Sequence, residues 1–253
     1  MWKKFNFIAV LAITMALALS ITGSAFAMTS AQSEFNSNIA PEIKSFTGGD
    51  KSFTKLYNKY KEATFKLNDL DCEQINPKDE YYKNNWIQVL PAEGEYYYAL
   101  NYKHIANEYK NKISREYYLW LMFLEKNQRT VEDGGLMVNP DKIREYLIFT
   151  EEFMKKYPDF VLIEDVELEQ IGFRSIYLFG IENTPVFDIA NGNRMNPDYK
   201  KSYEKFLKKN KTSKFYPEVK EFYNKAKENN FVRDDNFEKW HYKTFNDKYF
   251  NSK

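Results

Sequence analysis

The sequence predicts an all-α protein made of packed helical hairpins, arranged as an irregular α-solenoid or an orthogonal bundle. Three observations carry that expectation. Apolar residues recur at i, i+3, i+4 and i+7 over most of the chain beyond residue 50. Two segments, 114–127 and 160–181, are apolar on more than one side, the pattern of helices at the centre of a core. No stretch sustains the period-two alternation of a half-buried strand, so β-sheet is expected to be a minor feature.

Along the chain, Lys3 and Lys4 precede an apolar run from Phe5 to Ile21, followed by the small polar Thr22, Gly23 and Ser24. Ala25 and Ala27 then stand in the spacing that signal peptidase accepts, so residues 1–27 read as a secretory signal with cleavage after Ala27. The alternative, an uncleaved anchor, has about 17 apolar residues, the lower limit for crossing a bilayer. No cysteine follows to carry a lipid. The expected mature protein starts at Met28, is periplasmic or extracellular, and has no membrane anchor. Residues 28–50, with Pro41, Gly48 and Gly49, read as a loose lead-in to a single helical domain over 51–253.

Within that domain, Phe53, Leu56, Tyr57, Tyr60, Thr64 and Leu67 form one helical stripe. Pro77, Pro91 and Gly94 break the segment 71–94 into a short helix or turn and a loop. Tyr98, Tyr102, Ile105, Ala106 and Tyr109 predict a second helix. The apolar helix 114–127 follows. After a loop over 130–140, Ile143, Tyr146, Leu147, Phe153, Met154 and Tyr157 mark a helix that Pro158 ends. The apolar segment 160–181 stops at Gly180. A long loop, 182–197, leads to two short helices with stripes Tyr199, Tyr203, Phe206, Leu207 and Val219, Phe222, Tyr223, Ala226, the second opened by Pro217. A last helix spans 235–250.

Composition removes whole classes of function. The chain has 253 residues, 37 basic and 36 acidic side chains, two histidines and one cysteine, for a net charge of +1. Losing Lys3 and Lys4 with the leader turns this to 35 basic against 36 acidic, or −1. Neither balance supplies the basicity that neutralises phosphates, so no nucleic-acid partner is expected. Cys72, His104 and His241 cannot make a four-ligand zinc site, and Cys72 has no disulfide partner. No metal or cofactor is expected. The 31 lysines, 20 tyrosines and 21 phenylalanines, with abundant asparagine, are all encoded by AT-rich codons, which explains the aromatic content without a ligand.

Two segments sound alike: Glu151-Glu152-Phe153-Met154-Lys155-Lys156-Tyr157-Pro158-Asp159, and Tyr203-Glu204-Lys205-Phe206-Leu207-Lys208-Lys209-Asn210-Lys211 running on to Tyr216-Pro217-Glu218. Each resembles the end of one helix and the start of the next in tetratricopeptide-type hairpins of bacterial envelope proteins. The resemblance covers about 60 residues without the family's period of about 34. It implies stacked hairpins that bind protein or peptide segments on a concave face, and brings no catalytic residues.

The candidate binding residues are Trp86, Tyr97, Tyr102, His104 and Arg174. Tyr96, Tyr97, Tyr98, Tyr102, Trp86 and Tyr82 have the makings of a stacking platform for sugars or peptides. His104 and Glu108 share a helical face at i, i+4, as either an acid/base pair or a surface pair. Arg174, between Phe173 and Ile176, needs a carboxylate, with Glu167 and Glu145 as conceivable partners. Metal-free hydrolysis of cell-envelope polymers by two carboxylates across a cleft is the alternative function, drawing on Glu93 and Glu95, or on Glu164, Asp165, Glu167 and Glu169. A carrier with a closed apolar cavity is a third. The expected function is that of an exported helical protein, binding rather than catalytic, that holds a protein or peptide of the cell envelope in a groove between hairpins. Position favours the loop 182–197 as a functional segment.

Overall fold

The computed structural model describes residues 40–70, 86–92 and 94–250. The segment expected to be a secretory leader, residues 1–27, lies outside them, as do Cys72, Tyr82 and Glu93. The described chain is mostly helical, with strands confined to two-residue-wide ladders and one longer hairpin. Its contacts gather into two compact units, one of residues up to Arg129 with Asp159–Ile163, the other of Thr130–Pro158 with Glu164–Lys253. The helical stripes continue across the boundary at 129 and do not mark it.

The first unit holds α1 (Ala40–Ser45), α2 (Asp50–Leu70), the hairpin β1 (Ile87–Ala92) and β2 (Glu95–Leu100), α3 (Tyr102–Tyr109) and α4 (Arg115–Asn127). The stripe on α2 is buried as its spacing requires: Phe53, Leu56, Tyr57, Tyr60 and Thr64 all face the core. The helix expected from Tyr98 onward is corrected: residues 95–100 pair with 87–92 in antiparallel register, Ile87 opposite Leu100 and Ala92 opposite Glu95. Gly94, at φ +84°, supplies the left-handed turn, and three consecutive tyrosines suit a pleated, half-buried surface better than a helix. Asn101 then starts α3, its Oδ1 accepting from the His104 N–H at 3.0 Å. Ser114 caps α4 the same way, accepting from the Tyr117 N–H at 3.2 Å. Aromatic rings fill the centre: Phe53 meets Tyr117 edge-on at 4.9 Å, and Trp86 packs on Tyr60 at 4.7 Å and Tyr109 at 5.1 Å.

The second unit holds β3 (Val131–Glu132), β4 (Gly135–Leu136), α5 (Pro140–Lys156), α6 (Ile163–Phe179), β5 (Gly180–Ile181), β6 (Thr184–Pro185), β7 (Phe187–Asp188), β8 (Arg194–Met195), α7 (Pro197–Lys209), α8 (Tyr216–Glu228) and α9 (Asp235–Phe250), with Ile163 itself on the first unit's side of the division. Prolines 140, 197 and 217 open α5, α7 and α8, where a missing N–H costs nothing. Gly180 ends α6 at φ +73°. A Cβ there would sit 2.6 Å from the Val186 nitrogen, so no other residue fits. The loop 182–197 is more regular than its composition suggests, since it carries β6, β7, a 3-10 turn and β8.

Tyrosines knit these helices together. Tyr177 of α6 lies edge-on to Tyr203 of α7 at 5.0 Å and shares a hydrogen bond of 2.9 Å with Ser202. Tyr203 donates to the Tyr177 carbonyl at 2.6 Å and meets Phe222 of α8 at 5.5 Å. Burial pushes the phenols of Tyr177, Tyr199 and Tyr203 far above their ordinary range, so they remain neutral donors at any physiological pH. Arg144, almost fully buried, pairs with Asp141 on its own helix and donates to Asn210 at the end of α7, and Lys205 of α7 reaches Asp141 in the same cluster.

The expectation that α4 is buried all round, and that α6 likewise sits at the centre of a core, is corrected. Tyr118, Leu119 and Met122 of α4 are half-buried, whereas Leu168 and Ile171 of α6 are 47% and 41% exposed. Each helix buries one face, and the surplus apolar residues of α6 meet solvent.

Candidate functional site

Arg174 organises the surface beside those exposed residues. It leaves α6 on the flank between the buried Phe173 and Ile176, too close to the core for a free cation and too near the edge to be enclosed. Its partner is neither Glu167 nor Glu145 but Glu218, in the first turn of α8. The guanidinium donates from Nε at 2.7 Å and from Nη2 at 2.5 Å to the two carboxylate oxygens. This two-pronged geometry matches the planar fork of arginine. The Phe215 ring lies 5.9 Å from the guanidinium carbon, and the Lys214 ammonium lies 5.0 Å from the same ring.

The turn carrying Lys214 and Phe215 is itself fixed. Glu151 of α5 accepts from the Ser213 hydroxyl at 2.5 Å and from the Lys214 N–H at 2.7 Å. Between this turn, the start of α8 and the exposed face of α6 lies an open groove of about 470 Å³. Ile171, Phe215 and Pro217 supply its apolar surface, and Glu167, Glu218, Glu221, Arg174 and Lys214 its charges. Leu168, exposed one residue along from Glu167, extends the apolar surface of α6.

Chemically, the groove offers a preformed apolar surface with a polar frame. Both oxygens of Glu218 are engaged by Arg174, which removes one of the three lining carboxylates from acid/base work. Among the described residues no group of three His, Cys, Asp or Glu is placed to hold a metal ion. No helix among them is long and apolar enough to cross a membrane.

The other sequence candidates do not gather here. Trp86 is buried, its faces covered by Phe53, Tyr60 and Tyr109, so it packs the core of the first unit and offers no platform. Along β2 burial increases toward its C-terminal end, with Tyr96 exposed, Tyr97 half-buried and Tyr98 buried, so the three tyrosines do not present one platform. The half-buried Tyr102 sits 6.5 Å from Tyr57. His104 Nε2 is 3.2 Å from Glu108 Oε2, with both side chains more than 40% exposed, the geometry of a solvated i, i+4 pair.

His241 of α9 is the more unusual histidine. It stacks on Phe179 at 4.6 Å with a 27° tilt, and Phe222 and Phe237 close around it at 5.2 and 5.8 Å. Burial among these rings, then the nearby Arg233 charge, pushes its pKa down to about 4. On the surface of α8, the Tyr223 hydroxyl donates to Glu204 at 2.8 Å; burial and that carboxylate push its pKa up to about 12.

Sequence reasoning singled out Arg174 and Glu167 but passed over Glu218, Phe215 and Lys214. The available signal was the Tyr216-Pro217-Glu218 turn, which announces a helix start with a carboxylate in its first turn but cannot say which helix lies opposite. Comparison with family models, with curated proteins and with solved structures returns no match.

Proposed function

We propose that the protein is an exported helical binding protein that holds a segment of another protein in the groove between α6 and the start of α8. The observation that carries this reading is the pair Leu168 and Ile171, 47% and 41% exposed on a helix whose opposite face is core. In a chain with mean hydropathy −0.68, adjacent apolar side chains left in water beside a preformed groove favour an occupant that covers them. Stacked hairpins of the tetratricopeptide type use such surfaces for peptide segments, which agrees with the α7–α8 pairing but does not depend on it. The leader argues for action outside the cytosol.

Hydrolysis is the weaker reading. Glu167, Glu218 and Glu221 line the groove, and Glu218 is tied to Arg174.

Selection of a random peptide library on the purified protein tests the proposal, with Ile171→Glu as the counter-target. Peptides enriched on the protein and lost on the variant support it. Peptides held equally by both would contradict it.

A further inference from the structure

The apolar residues of α6 do not stand alone. Glu164, Glu167, Leu168 and Ile171 are all exposed, and at about 100° per residue they fall within one arc of roughly 100° on the helix. The same surface therefore alternates carboxylates with aliphatic side chains. Across the groove, Arg174 and Glu218 form a bidentate ion pair, and Glu221 also contributes to the lining. Lys214 is drawn toward the Phe215 ring.

We propose that the segment bound here presents an aliphatic or aromatic side chain flanked by lysine or arginine, the apolar group covering Leu168 and Ile171 and the cations meeting Glu164 and Glu167. This rests on the peptide-binding reading and specifies its partner. Charge complementarity selects the occupant: an acidic segment would bring like charges against Glu164 and Glu167, which costs affinity and slows association. The same argument disfavours two undescribed segments of this chain, 28–39 and 71–85, and the leader with Lys3 and Lys4 is expected to be removed. Residues 28–39 carry one charge, Glu34, and residues 71–85 carry four carboxylates against two lysines. The complement is a basic–apolar segment from outside this chain. The long aliphatic stems of lysine and arginine also lie well along Leu168 while their heads reach carboxylates.

Short fluorescent peptides with a common Leu-Phe centre and Lys, Ser or Glu flanks distinguish the cases by anisotropy on the purified protein. The Lys-flanked peptide is expected to bind about tenfold more tightly than the Glu-flanked one at low salt, a gap that narrows at about 0.5 M salt. The double variant Glu164→Gln/Glu167→Gln is expected to lower the Lys-flanked affinity about fivefold while leaving the Ser-flanked peptide unchanged. Circular dichroism and melting confirm that the variant is folded. Equal affinity for all three peptides, with binding lost in Ile171→Ser, would overturn the basic partner and keep the groove. Binding unaffected by Ile171→Ser, or absent for every peptide, would remove both.

Discussion

α4 and α6 read almost alike as sequence and sit differently in the structure. Both are apolar around most of their circumference, and both anchor a core: α4 through Tyr117, Trp120, Leu121 and Phe123, α6 through Val166, Phe173, Ile176 and Tyr177. The remaining apolar residues of α4 are half-buried or, for Leu124, buried, whereas on α6 Leu168 and Ile171 face solvent beside carboxylates and a groove. Hydrophobic content alone therefore reports how much surface a helix wants covered, and only the structure tells which part the chain covers itself. The uncovered remainder on α6 is where a partner gains most from binding.

The largest effects test the buried faces. Trp120→Ala, which empties a 1% exposed site, is expected to cost about 4 kcal/mol, and Phe173→Ala on α6 a similar amount, read by chemical denaturation. A loss below about 1 kcal/mol in either would mean that the helix is not a core element.

Next in size is the end of α6, where Phe179 carries His241. The folded histidine has its pKa pushed down to about 4 from 6.5, so the unfolded chain binds the proton more readily. The associated stability is complete above about pH 6.5 and declines as pH falls toward 4, by at most about 3 kcal/mol. His241→Phe, which keeps a ring in the cluster, is expected to flatten the stability profile between those values. A slope unchanged by that variant would show that other groups set it.

Arg174 comes third. Arg174→Ala strands Glu218, 11% exposed, without its bidentate partner and is expected to cost about 2 kcal/mol, less than a fully buried pair because the arginine is 24% exposed. Arg174→Met, which keeps the packing against Phe215, is expected to cost about half as much. Equal, severe unfolding in both would mean that the charge itself is indispensable.

The helical architecture was legible because it depends on local spacing: the stripes of α2, α5, α7 and α8, the prolines that open the last three and the stop at Gly180 all appear where the pattern places them. The β1–β2 hairpin was missed because Tyr98 happens to fall in helical phase with Tyr102, Ile105 and Tyr109, and one turn glycine, Gly94, decides between the two readings. Arg174 was recognisable as a cation needing a carboxylate, since it is bracketed by core residues. Glu218 was not recognisable as its partner, because that pairing joins positions 44 residues apart and depends on how α6 and α8 pack. Exposure of Leu168 and Ile171 was invisible for the same reason: burial is settled by neighbours that are distant in sequence.

The smallest expected change in stability accompanies the most informative result. Ile171→Ser, melted alone and titrated with the Lys-flanked peptide, is expected to keep its stability within about 0.5 kcal/mol and to lose peptide binding. A variant that melts several degrees lower yet binds the peptide as before would contradict an exposed, partner-facing α6 and make Ile171 a packing residue.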